Sequence, residues 1–152
     1  MASSASFQQT ANTLSNLSGT CEDSHHGFLI AAPKVQDADL KKLFYDYAGK
    51  RLEFRMELQS FVASLGVMPR SPGSVGAALR RVWIAALGKL GNDSDHAILV
   101  ELERGEGSTV AAYQEAFTHD LITDAQDLVQ RQYSEIKEAH DRIRALRARY
   151  EA

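Results

Sequence analysis

The chain has 152 residues, 44% of them hydrophobic and 24% charged, with a formal net charge of -3 and a pI near 5.9. That length suits one soluble domain over residues 1–152 with a single core, and that charge lacks the basic field that nucleic acid requires of a partner. The lone cysteine, Cys21, cannot form an internal disulfide, which fits a reducing, cytoplasmic setting; no stretch is apolar enough for a membrane, and the N-terminal MASSASFQQT has no secretory pattern.

The first helical pattern is expected over about 7–35. Leu14, Leu17, Cys21, Phe28, Ala31 and Val35 recur at steps of three, four and seven, with Ser24 on the same line and His25 beside it. Gly19 and Gly27 weaken its middle and Pro33 disturbs its last turn. After Val35-Gln36, Asp37 is the expected N-cap of a second helix over 38–65. Its seam is Leu40, Phe44, Tyr47, Phe54, Leu58, Phe61 and Leu65, interrupted once by Arg51. The short connection makes these two helices an antiparallel hairpin.

Gly66 ends the second helix, and Met68-Pro69-Arg70-Ser71-Pro72-Gly73 reads as loop. A crossover over 66–93 follows, too long for a hairpin, with a short helix at about 75–90 carrying Trp83. The third long helix is expected over 95–118, with Leu99, Leu102, Thr109, Tyr113 and Ala116 inward and Glu106 on the same line. Gly105 and Gly107 flank Glu106, which suggests close helix packing in preference to a bulge. A turn around His119-Asp120 leads to a fourth helix over 124–150, whose seam is Ala125, Val129, Ile136, Ala139, Ile143 and Leu146. Gln132 lies on that seam, with Glu135 and His140 flanking it. The late arginines, Arg142 to Arg149, suit a helix C-terminus and an outer solvated face. The pattern is all-α: two helical hairpins joined by a long crossover, the connectivity of a ferritin-like antiparallel four-helix bundle.

Inward polar residues carry whatever chemistry the chain has, because a core must satisfy them by pairing, water or metal. Folding the first hairpin about Gln36 brings His25 opposite Tyr47 to Lys50 and Cys21 opposite Arg51. Folding the second about Asp120 sets Glu106 opposite Glu135 and Glu103 opposite Glu138. The middle layer is then expected to hold Glu22 or His25, Lys50 or Arg51, Glu106 and Glu135, with Gln132 as a further polar group. Two facing carboxylates need a proton, a metal or a cation between them, and Lys50 or Arg51 is close enough in level to serve. The plain role for His25 is a hydrogen-bonded core histidine, and for His140 pairing with Glu101 or Glu103.

Several stretches resemble uncharacterised bacterial four-helix proteins of the ferritin-like superfamily, a domain of unknown function. They are Thr20-Cys21-Glu22-Asp23 with Gly27-Phe28, Gly73-Ser74-Val75 with Trp83, Glu103-Arg104-Gly105-Glu106, Arg131-Gln132-Tyr133, Glu135, and His140-Asp141-Arg142-Ile143-Arg144. The resemblance covers nearly the whole chain. It implies a ferritin-like bundle, and with it an iron or manganese site. Dinuclear carboxylate bundles use a Glu from each of two helices and a Glu-x-x-His from each of the others. Here that motif occurs only as Glu22 to His25; Met56 and Ser60 follow Glu53 and Glu57, and Lys137 precedes His140. Relatives often carry glutamates where this chain has His25 and Lys50.

Two expectations follow. In the favoured one the chain is a non-enzymatic helical module with a degenerate metal site, acting through homo-oligomer formation or a protein partner. In the other it is an iron or manganese carboxylate protein with oxygen, peroxide or metal-handling activity, its ligands drawn from Glu106, Glu135, His140, His25 and Glu22.

Overall fold

The computed structural model describes residues 4–70, 85–86, 89 and 94–150. The expected short helix at about 75–90, Trp83 and the Gly73-Ser74-Val75 run therefore fall almost wholly outside the described residues. Among the described residues the chain is all-helical: α1 spans Ser4–Ala31, α2 Ala38–Leu65, α3 Asp95–Ala116 and α4 Thr123–Tyr150. No helix among them is long and apolar enough to cross a membrane.

Local sequence explains where the helices start and stop. Pro33 tightens the end of α1 into a 3-10 turn over Ala32–Lys34, since its ring fixes φ and removes a donor. Asp37 then caps α2, its Oδ1 accepting from the backbone N–H groups of Asp39 and Leu40 at 2.8 and 3.2 Å. Gly66 closes α2 in the left-handed region at φ 69°, a conformation that a Cβ would penalise. Ser94 caps α3 through Oγ to the N–H of Ala97.

The helices pack with alternating direction around one core. α1 lies against α2 and α3, α3 against α4, and α2 meets α4 more sparsely. Cross-links fix the directions: Thr13 with His119, Cys21 with Tyr113 and Ser24 with Glu106 make α1 antiparallel to α3. Arg131 with Glu57 and Tyr150 with Asp37 make α4 antiparallel to α2. α2 and α3 are consequently parallel and diagonal, so α2 ends and α3 begins at opposite ends of the bundle.

Both ends are tied by polar groups. At one, the Asp95 carboxylate accepts from the N–H groups of Gln36 and Asp37 at 2.8 and 3.1 Å, and Tyr150 donates to Asp37 Oδ2 at 2.5 Å. That hydrogen bond, together with the Asp37 charge, pushes the Tyr150 hydroxyl up to about 12. At the other, Thr10 Oγ1 accepts from the N–H of Ile122, and Ser6 donates to Asp120.

The buried side chains form two apolar clusters. One is built on Phe28, Phe44, Leu99, Leu102 and Ile143, the other on Leu14, Leu17, Phe54, Leu58, Tyr113, Val129 and Ile136. Between them lies a layer of buried polar residues, which positions the candidate site.

Glycines inside the helices test how tight this packing is. At Gly107 a Cβ would lie 3.7 Å from His140 Nε2, an ordinary contact, and α3 runs through Gly105 and Gly107 without a bulge. At Gly49 a Cβ would meet nothing within 4 Å. Gly49→Ala therefore removes only backbone entropy from the unfolded chain and is expected to stabilise the protein by about 0.5–1 kcal/mol. Urea unfolding should show a raised midpoint with an unchanged slope.

Candidate functional site: a buried ion pair across the bundle

Arg51 occupies a seam position of α2 between Ala48 and Phe54, and Glu106 the corresponding inward position of α3 between Leu102 and Thr109. Helical spacing on either side buries apolar neighbours and carries these two with them. Arg51 is 2% exposed and Glu106 0%. The Arg51 Nη2 donates to Glu106 Oε1, and Ser24 Oγ on α1 donates to Oε2 at 3.1 Å. Both carboxylate oxygens are thus engaged. The guanidinium lies 5.7 Å from the ring centroid of Phe28 and 5.9 Å from that of Phe54, so two π-systems help to hold the cation. Its Nε and Nη1 are buried without an acceptor among the described residues.

A second polar group joins all four helices nearby. Tyr113 on α3 donates to Gln132 Oε1 at 2.7 Å, and its hydroxyl lies 3.1 Å from Cys21 Sγ on α1. Gln132 on α4 donates in turn to Phe54 O on α2 and to Glu57 Oε1, each at 3.2 Å. Burial pushes the Cys21 thiol up to about 11, which outweighs its hydrogen bond to Tyr113 and the Arg51 charge. Burial also raises the Tyr113 hydroxyl, and the Cys21 sulfur adds to that shift. Both groups remain neutral near pH 7 and act as hydrogen-bonding members of the core.

The remaining residues singled out by sequence are dispersed. His25 bonds through Nδ1 to the carbonyl of Ala48 at 2.7 Å, the role of a core histidine. Glu22 lies 3.9 Å from His26 and 4.0 Å from Arg55, at the surface. Lys50 lies 3.6 Å from Glu135 and also 3.6 Å from Glu53. His140 rests against Gly107 and lies 4.0 Å from Asp141, while Glu103 takes Arg144 and Arg147 and Glu101 takes Arg104.

The second hairpin also has a different register from the expected one. Tyr113 meets Gln132 and Gly107 meets His140, which places Glu106 level with Ala139 and His140, about a turn beyond Glu135. Those two pairs centre past Asp120: the N–H groups of Thr118 and His119 bond back to the carbonyls of Glu115 and Ala116, so the end of α3 continues as a turn before the chain reverses.

These positions decide whether a dinuclear iron or manganese centre fits. Such a centre needs converging ligands with free lone pairs. Glu106 has neither oxygen free, Glu135 faces a lysine, and His25 is committed to a backbone carbonyl. Among the described residues no group of three His, Cys, Asp or Glu side chains is placed to hold a metal ion. The arrangement does not fit that centre. Sequence reasoning singled out Arg51, Glu106 and Gln132 but gave no role to Ser24 or Tyr113. Their only signal was their position on the inward lines of α1 and α3.

Two measurements check this layer. Glu106→Ala leaves a buried guanidinium without its counter-ion and is expected to destabilise by about 3–5 kcal/mol in urea unfolding. The double variant Arg51→Met/Glu106→Leu, which removes both charges, should lose less than that. Cys21 should resist alkylation by iodoacetamide in native protein even near pH 9.0, the value for a free thiol, and react at once in denaturant. Stability linked to this thiol is present below pH 9 and is lost as pH rises toward 11, because the unfolded chain ionises first.

No protein of curated function matches the chain. A family model described as a domain of unknown function, DUF2383, matches residues 9–119, which takes in most of α1, all of α2 and all of α3. The α4 residues Gln132, Glu135 and His140 lie beyond the matched span. Since the match covers well over half of its length, the chain belongs to the DUF2383 family.

Proposed function

We propose that the chain is a non-enzymatic helical module of ferritin-like type, working through association with itself or with a protein partner. The observation that carries this reading is the closure of the central layer. A ferritin-like bundle would place metal ligands there, whereas here the Arg51 guanidinium takes one oxygen of Glu106 and the Ser24 hydroxyl takes the other. Each oxygen of that interior carboxylate is committed to one protein donor, and the Arg51 charge offsets its own. Cys21 and Tyr113 are held in their neutral forms by burial, so they supply neither a thiolate nor a phenolate. What remains for function is the outside of the bundle.

Elemental analysis of tag-free protein produced in iron- and manganese-supplemented medium tests the first half of this reading, alongside melts with and without chelator. The expected result is metal well below one equivalent and an unchanged melting temperature. Near-stoichiometric iron or manganese with a chelator-sensitive melt would overturn it. Sedimentation equilibrium tests the second half, with a concentration-dependent rise in mass as the expected outcome for self-association. A constant monomer mass would remove the self-association arm.

A further inference from the structure

Two seams join the α1–α2 hairpin to the α3–α4 hairpin, and they are fastened differently. The α1–α3 seam is locked from inside: Ser24 bonds Glu106, Cys21 meets Tyr113 and Thr13 meets His119, and of these six only His119 is not fully buried. The α2–α4 seam is sparser in contact. Surface ion pairs fasten it, Lys50 with Glu135 at 3.6 Å and Arg131 with Glu57, the four side chains being 39% to 54% exposed. Pairs of that kind contribute little and weaken further in salt. Gln132 also reaches the Phe54 carbonyl at the middle of the seam, and Tyr150 reaches Asp37 at the end where α2 begins. Past Glu57, no hydrogen bond or ion pair links α2 to α4 among the described residues, and Phe61 and Leu65 are only half-buried.

The shut seam also carries a penalty. Arg51 Nε and Nη1 are closed to water and have no acceptor, a costly state for donors that an opening would hydrate. We propose that the bundle opens as two hairpins hinged on the α1–α3 seam. α2 and α4 part from the Leu65 end, while Tyr150 and Asp37 hold the far end together. Parting as far as the middle breaks the Gln132 bond, lets water reach Arg51 and bares Phe54 and Ala139, which are 2% and 5% exposed when shut. All four helices keep their backbone hydrogen bonds, so the opening is a sub-global event that costs less than unfolding. Because surface charges fasten the seam, ionic strength sets how often it parts. This device is independent of whether the chain self-associates.

Thiol labelling of the full chain with iodoacetamide tests it. Ala139→Cys places a thiol beside the α2–α4 cleft and Ala116→Cys one beside the α1–α3 groove, with native Cys21 as a control in both. The thiol at 139 should label about tenfold faster than those at 116 and 21. Its rate should rise roughly fivefold from about 0.05 to about 0.5 M NaCl, and Arg131→Gln, which removes one ion pair, should raise it at low salt. In the unmutated chain, hydrogen exchange at Arg51 Nε, followed by NMR, should outpace the α1 amides and quicken with salt. Equal protection of the three thiols, or labelling and Nε exchange that ignore salt, overturns the hinge.

Discussion

The Arg51–Glu106 ion pair is the constraint around which the middle of the bundle is arranged. Taking two charges out of water is expensive, and mutual attraction repays it only when the other lone pairs and donors also find partners. Ser24 on α1 completes the carboxylate, and the rings of Phe28 and Phe54 flank the guanidinium. Ser24 and Phe28 of α1, Arg51 and Phe54 of α2 and Glu106 of α3 are thus gathered around one pair. The pair also joins α2 to α3, which lie diagonally across the core and otherwise barely meet. Only a long side chain can span that diagonal, and arginine can do so while keeping its charge at any physiological pH.

A buried ion pair is weak evidence for stability, because well-packed apolar residues in the same space often do as well. Its value here lies in register. The apolar clusters on either side are built from Leu, Ile, Val and Phe, which tolerate a one-turn slip far better than a charge does. Slipping α3 against α2 by one turn would bury Glu106 away from Arg51 and leave both ions unpaired. The Cys21–Tyr113–Gln132 group adds the same kind of restraint for α4, since Gln132 reaches the Phe54 carbonyl. Polar groups fix how the helices line up, and apolar burial supplies most of the driving force. The sparse contact of α2 with α4 follows from this division: the two meet through Lys50–Glu135, Arg131–Glu57 and Gln132, and long polar side chains leave a gap between the helices.

The helices were legible because each carries its own evidence: a seam of regular spacing, Asp37 before α2, Gly66 after it and Ser94 before α3. The central residues were legible for the converse reason. Arg51 breaks an apolar seam, Glu106 lies on one, and Gln132 lies on another, so each had to be satisfied inside. Pairing was less accessible. That Ser24 bonds Glu106 and that Tyr113 bonds both Cys21 and Gln132 depends on rotamers and on helix rotation, which spacing leaves open by several tens of degrees. The sparse packing of α2 on α4 was not legible at all, since it depends on the distance between two helices far apart in sequence.

The second hairpin shows how small an error in a connection moves a site. Six residues, 117–122, separate α3 from α4, and placing the fold point at Asp120 treats that connection as nearly symmetric about the turn. The hydrogen bonds of Thr118 and His119 back to Glu115 and Ala116 extend the end of α3 as a turn, so the reversal comes later. The displacement is about one helical turn, or roughly 5 Å along the axis. That is enough to exchange the neighbour of Glu106 from Glu135, a second carboxylate, to Ala139 and His140. With a second carboxylate at its level, Glu106 would need a metal or a shared proton. With an alanine there, one guanidinium suffices, and the layer closes as an ion pair.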